Sequence, residues 1–159
     1  MIPFHSLFPE LAQREVRCIH VGPTPAGAPP GELPDDEYVY MELYCEDLSC
    51  DCRRVFLQVI SREQPGRIFA SIGYGWEKIS FYRKRMPWAP DEARGTVRGE
   101  LDPLNAQSEY APALLAVFQE MVLDEPYRLR LQRHYGLFRA ELMRRARRGT
   151  NQPGTQSHE

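Results

Sequence analysis

Three cysteines stand close together in the sequence, at Cys45, Cys50 and Cys52, with the spacing C-x4-C-x-C. Cys50 and Cys52 are separated by one residue, so in an extended segment both sulfur atoms point to the same face. A hairpin loop can bring the Cys45 sulfur opposite the other two. Zn²⁺ binds thiolates in tetrahedral geometry, with Zn–S distances of about 2.3 Å. The spacing therefore predicts a metal site, and zinc is the metal that it favours.

The same three residues are open to other chemistry. They could be inert buried thiols, a disulfide between Cys45 and Cys52, or a redox-sensing thiol pair. Arg53 and Arg54 follow the cluster directly. Their charges would offset a zinc–thiolate centre and lower the pKa values of the thiols, which also fits a redox role. In the cytosol, clustered cysteines are more often ligands or redox groups than structural disulfides, so zinc is the expectation.

A structural zinc needs a fourth protein ligand, and the last predicted helix offers one. The apolar residues that define its buried stripe are Tyr127, Leu131, Tyr135, Phe138 and Leu142. His134 lies on the same side, so its polar ring needs a partner in the interior. We predict His134 as the fourth ligand, which would make zinc a structural clamp between the hairpin and this helix. The alternatives are a backbone partner for His134, Cys18 or His20 as the ligand, and water at the fourth position.

The elements that would carry these ligands indicate an α+β fold. Runs of β-branched and aromatic residues predict strands at 15–21, 37–45, 54–61 and 67–74. Their short connections favour an antiparallel β-meander of three to four main strands. Helical spacing of apolar residues predicts a helix at 76–86 and two C-terminal helices that cover the sheet. The first of these has Ser108 as its N-cap, and the second runs from about residue 124 to Arg147. A short arm at 4–14, irregular or helical, and a short edge strand at 96–101 complete the prediction.

The length of 159 residues fits one domain, which we place at 1–148. Within it, residues 22–36 are rich in proline and glycine and contain almost nothing to bury, which predicts a surface loop. Residues 149–159 are polar throughout and are expected to be a disordered tail.

Charge and hydropathy limit the classes of partner. The segment 128–148 holds eight arginines and one glutamate, Glu141. Such a segment could contact phosphates, but a solvated outer helix face explains it equally well, so a protein partner is expected ahead of nucleic acid. The first residues lack the pattern of a signal peptide, and no apolar run reaches the length of a membrane span. The expected location is the cytoplasm, with no membrane partner.

The sequence contains none of the common catalytic motifs, such as H-E-x-x-H, the P-loop or G-x-S-x-G. Three thiolates would also reduce the Lewis acidity with which zinc activates water. The function predicted is that of a zinc-binding protein that acts as a non-enzymatic interaction module. The alternative is a metal-dependent enzyme or thiol redox sensor that uses the Cys45, Cys50 and Cys52 cluster.

The run from Glu42 to Val55, ELYC-x4-CDCRRV, resembles the signature of a family of small bacterial proteins without an assigned activity. The similarity extends through 72–77, 101–103, 107–108 and 133–135. The cluster is also distantly similar to zinc-binding SEC-C modules, which use C-x-C followed later by C-C or C-H, an order that this chain does not follow. Both resemblances imply metal binding, and neither implies an activity.

Overall fold

The computed structural model of the chain describes residues 1–23, 26–27 and 31–150. This part of the chain is an α+β fold with one antiparallel sheet, as predicted. The strands are β1 (Ile2–Pro3), β2 (Arg17–Val21), β3 (Asp36–Tyr44), β4 (Arg54–Ser61), β5 (Ile68–Gly75) and β6 (Glu100–Leu101). The helices are α1 (Pro9–Arg14), α2 (Ile79–Arg85), α3 (Glu92–Arg98), α4 (Ala111–Val117) and α5 (Glu125–Thr150). A 3₁₀ turn at Phe4–Ser6 precedes α1, and a π-helical turn at Phe118–Val122 continues α4.

The sheet is a meander of β3, β4 and β5 with shorter strands at its edges. Because β4 occupies one edge of β3, both β1 and β2 pair along the other edge. β2 pairs with residues 36–40 of β3, and β1 pairs with Leu43 and Tyr44. Met41 and Glu42 lie between the two and pair with neither. At this gap the chain leaves the sheet after Pro3 and returns at Arg17, and the arm predicted at 4–14 lies here and is mostly helical.

One face of the sheet packs against α4 and α5. Alternate residues of β3 and β4 are buried there, as period-two side chains require: Tyr38, Tyr40, Tyr44, Val55, Leu57 and Val59. The predicted stripe of α5 meets them, and Tyr127, Leu131 and Phe138 are fully buried. The Tyr44 hydroxyl lies 3.2 Å from the Leu131 carbonyl oxygen. The two C-terminal helices therefore cover the sheet as predicted.

Two local predictions were wrong. Thr96 belongs to α3 and not to an edge strand, because the chain reverses only at Gly99, where φ is +86°. The strand β6 begins immediately after it. Ser108 lies two residues before the N-cap position, which Tyr110 occupies, although its hydroxyl accepts a hydrogen bond from the Tyr110 N–H and donates one to the Phe69 carbonyl. The helix α4 begins at Ala111 instead.

The predicted loop and tail are described only in part. Residues 24–25, 28–30 and 151–159 lie outside the described residues, so most of the predicted tail does as well. The expectation that 22–36 buries almost nothing was wrong at Leu33, which is 7% exposed and joins the core. Among the described residues, none of the helices has the length and apolar content to cross a membrane.

Candidate metal centre

Cys45, Cys50 and Cys52 all lie in the loop between β3 and β4, and the structure brings their sulfur atoms together. The three Sγ atoms lie within 4.8 Å of one another, and each side chain is half-buried. All four cysteines of the chain are free thiols. Sulfur ligands of one tetrahedral Zn²⁺ lie at comparable separations. The loop can therefore hold a metal ion with three ligands.

A tight turn within the loop returns the chain to Cys45. The Asp47 side chain accepts hydrogen bonds from the Ser49 N–H at 2.8 Å and the Ser49 hydroxyl at 2.6 Å. The Cys50 N–H donates to the Asp47 carbonyl at 3.1 Å. Short polar side chains form turns of this type readily, because they replace the missing backbone partners. The residues between the cysteines thus determine the approach of Cys50 to Cys45.

Arg53 directs the chain from the cysteines into β4. Its φ of +48° lies in the left-handed region, which is uncommon for a residue with a Cβ. Its carbonyl accepts a hydrogen bond from the Tyr82 hydroxyl at 2.7 Å. Its guanidinium donates to Asp51 at 2.9 Å and to Glu77 at 3.1 Å. These contacts hold the strained backbone directly after Cys52.

The arginines do not lower the pKa of the central thiol, which corrects the prediction. Burial, followed by the neighbouring Cys52 thiol, raises the pKa of Cys50. The Arg53 guanidinium is directed at carboxylates, and Arg54 donates to the Thr96 hydroxyl at 2.8 Å. A metal ion would have to displace the thiol proton of Cys50, so binding releases protons and weakens at low pH.

The structure does not bring His134 to the three thiols. His134 is 1% exposed and stacks on the Phe4 ring at 4.2 Å between centroids. Its Nδ1 lies 2.7 Å from Glu42 Oε2, and its Nε2 lies 2.9 Å from Glu15 Oε2. Both ring nitrogens therefore have carboxylate partners, which leaves neither of them for a metal. The helical stripe predicted the burial of His134 but not the strand position that it meets.

The loop is nevertheless attached to α5, through a different residue. Arg139 donates hydrogen bonds to the carbonyls of Asp47 at 2.6 Å and Leu48 at 2.7 Å. A guanidinium with two donors in fixed geometry suits two successive carbonyls. The clamp that we predicted through zinc and His134 is thus made by Arg139.

The other predicted ligands also lie apart from the cluster. Cys18 is exposed on β2, where it pairs with Val39, and His20 pairs with Glu37. Among the described histidines, cysteines, aspartates and glutamates, none joins Cys45, Cys50 and Cys52 as a fourth member. A fourth ligand would therefore come from outside this group.

A cavity of about 520 Å³ adjoins the cluster, and all three cysteines line it. Leu43, Phe56 and Gly73 are neighbours across β3, β4 and β5 and form its apolar side. Asp102 and Asn105 lie on its polar side. A side chain at Gly73 would meet nothing within 4 Å, so the space above this strand is open. The cluster is therefore accessible to a ligand or partner.

Sequence reasoning missed the carboxylates that hold His134. One signal was present, because Glu42 falls in phase with Tyr38, Tyr40 and Tyr44 on the covered face of β3. A charged residue at such a position requires a partner.

No family model matches the chain, and neither the curated proteins nor the solved structures contain a match to it.

Proposed function

We propose that this chain is a zinc-binding protein in which Cys45, Cys50 and Cys52 hold Zn²⁺ as thiolates. The observation that carries the proposal is the convergence of three sulfur atoms within 4.8 Å of one another in one loop. Soft thiolate ligands at tetrahedral spacing favour zinc over hard cations such as Mg²⁺ or Ca²⁺. In this proposal zinc is structural and fixes the loop between β3 and β4.

The role that we propose for the loop is a non-enzymatic interaction module. Three thiolates donate negative charge to zinc and make it a poor Lewis acid, which opposes a hydrolytic role. A partner could bind the apolar surface beside the thiols, which is formed by Leu43, Phe56 and Gly73. The metal would order the loop next to this surface. The fourth ligand is then a protein group from outside the described residues or from the bound partner, and not exchangeable water.

A metal-dependent enzyme is the second candidate, and one observation favours it. The described residues provide three ligands and an adjoining cavity, and catalytic zinc sites keep one position for water or substrate. A thiol sensor is less favoured, because burial raises the pKa of Cys50 and so reduces its thiolate fraction at neutral pH.

The test is metal analysis of the purified chain and of two cysteine variants. We expect one zinc per chain in the wild type, and a loss of zinc with a lower melting temperature in Cys50→Ser. Cys18→Ser is the matched control, because Cys18 is exposed and remote from the cluster, and it should retain both. Unchanged zinc content and melting temperature in Cys50→Ser would refute the proposal.

Cobalt substitution separates the two candidates. Co²⁺ bound by three thiolates gives intense charge-transfer and d–d absorption bands. In a structural site the d–d bands should not respond to added azide. A shift of these bands with azide concentration would show an exchangeable fourth position and favour the enzyme.

A further inference from the structure

A second cavity, separate from the cysteines, lies beneath the N-terminal arm. Its volume is about 300 Å³. The arm residues Phe4, Pro9 and Ala12 form one side, and Tyr40 and Met41 of β3 form the other. It lies at the gap between β1 and β2, where Met41 and Glu42 have no strand partner on that edge. The cavity is therefore built by the excursion of the arm from the sheet.

The polar residues that line this cavity include His5 and Gln13, and three others, Glu15, His134 and Glu42, form a line of ionisable groups. The imidazole lies between the two carboxylates, at 2.9 Å from Glu15 and 2.7 Å from Glu42. Both contacts are hydrogen bonds at the same time only if the imidazole carries two protons or one carboxyl is protonated. If the imidazole carries two protons, one imidazolium donates a hydrogen bond to each of the two carboxylates.

Charge compensation is uneven along this line. Glu15 also pairs with the guanidinium of Arg133 and lies 3.8 Å from that of Arg130. Among the described residues, no arginine forms an ion pair with Glu42, and its other hydrogen bond comes from the neutral Tyr44 hydroxyl at 2.8 Å. The buried end of the line thus has only the imidazole that it shares with Glu15 as a source of positive charge.

One oxygen of Glu42 is available to a ligand. The side chain is 8% exposed, and both of its hydrogen bonds within the described residues go to Oε2. Among the described side chains, the Tyr127 hydroxyl is the only polar atom that is shut off from solvent without a hydrogen bond. Oε1 of Glu42 is therefore accessible to solvent, and Glu42 lines this cavity.

We propose that this cavity binds a small organic cation, a primary ammonium group attached to an apolar body. The ammonium donates a hydrogen bond to Glu42 Oε1 and supplies positive charge at the buried end of the line. The apolar body packs against Phe4, Tyr40 and Met41, and aromatic faces also attract ammonium groups. A metal ion does not fit, because the two carboxylates contact opposite nitrogens of His134 and do not converge on one point.

The experiment titrates the full chain with benzylamine and with benzyl alcohol, its neutral counterpart, and follows backbone amide shifts by NMR. Benzylamine should bind at the amides around Met41 and Ala12 about tenfold or more tightly than benzyl alcohol, because its hydrogen bond to Glu42 is charge-assisted. Glu42→Gln should reduce this preference to near unity. Glu37→Gln is the matched control, since Glu37 lies on the same strand and pairs with Arg62 at the surface.

A second variant keeps the test decisive if Glu42→Gln does not fold. Ala12→Leu fills the cavity from the arm and leaves every charge in place, so it should abolish the binding of benzylamine. Equal binding of benzylamine and benzyl alcohol, unchanged binding in Ala12→Leu, or the absence of saturable shifts at the cavity would each overturn the proposal.

Discussion

Replacement of His134 by leucine is the perturbation with the largest expected effect on stability. The imidazole is 1% exposed and contacts the carboxylates of Glu42 and Glu15. His134→Leu keeps an apolar side chain against the Phe4 ring but removes both contacts. Glu42, at 8% exposed, is left with the Tyr44 hydroxyl as its hydrogen-bond partner. The substitution therefore leaves a buried carboxylate without a charge partner.

Removal of one partner from a buried, hydrogen-bonded carboxyl group costs about 1–3 kcal/mol of unfolding free energy, and more when the carboxyl group is ionised. Domains of this size are stable by about 5–15 kcal/mol, so the loss is a large part of the total. Arg133→Ala is the comparison, because its guanidinium contacts the same Glu15 carboxylate but is 52% exposed. An exposed ion pair contributes about 1 kcal/mol or less.

The assay is urea unfolding at neutral pH, with zinc content measured in parallel. A double variant, Glu42→Leu with His134→Leu, should recover much of the lost stability, because a buried ion pair replaced by apolar residues is often neutral. A loss in His134→Leu as small as that in Arg133→Ala would refute the reasoning. Loss of zinc from His134→Leu would instead show that His134 is a ligand.

Three further predictions concern the loop and the turns. Arg139→Ala should cost about 1–3 kcal/mol and speed amide exchange in the cysteine loop, because it removes two hydrogen bonds to loop carbonyls. Asp36 has a pKa below its usual 3.8, since hydrogen bonds from Ser61 and backbone N–H groups outweigh the opposite effect of burial. The ionised Asp36 carboxylate therefore stabilises the fold above pH 3.8, and this contribution is lost as the pH falls through the lowered pKa of the folded state. In Asp36→Asn the free energy of unfolding should therefore decline less steeply in acid than in the wild type. Gly99→Ala should lower the melting temperature, because its Cβ would lie 2.6 Å from the Phe118 ring.

Each of these has a control. Arg144→Ala removes an exposed pair with Glu141 on the same helix and should leave loop exchange unchanged. An Asp36→Asn variant with the acid profile of the wild type would contradict the assignment of the carboxylate. Gly66 has a similar positive φ, of 90°, but a Cβ at this position would meet nothing within 4 Å. Gly66→Ala should therefore lower the melting temperature less than Gly99→Ala. Equal effects of the two glycine variants would mean that the Phe118 contact does not matter.

The sequence predicted the meander well because each strand carries its own local signal. The strand β4 was predicted at its observed residues, and the period-two burial of Tyr38 and Tyr40 follows from alternation alone. The three cysteines were also predictable as a group, since one loop holds them and their separation in sequence limits their separation in space.

Contacts between distant elements were less predictable. The apolar stripe of α5 predicted that His134 is buried. The partners of His134 depend on the position of α5 along β3, which no local sequence pattern specifies. The attachment of the loop by Arg139 depends on the same register. The prediction for the arginines after Cys52 was wrong because other groups compete with the thiols for them: Asp51 and Glu77 bind Arg53, and the Thr96 hydroxyl binds Arg54.

The bond between the arm and α5 has a consequence for the order of assembly during synthesis. Glu15 and His134 are 119 residues apart, whereas the three cysteines lie within one hairpin loop. The cysteine loop is complete as soon as β4 has left the ribosome, and its short closure costs little entropy. The arm can pack on β3 earlier, but its contact with His134 needs α5. Metal capture can therefore precede closure of the arm, and the cavity beneath the arm is the last part of the molecule to form.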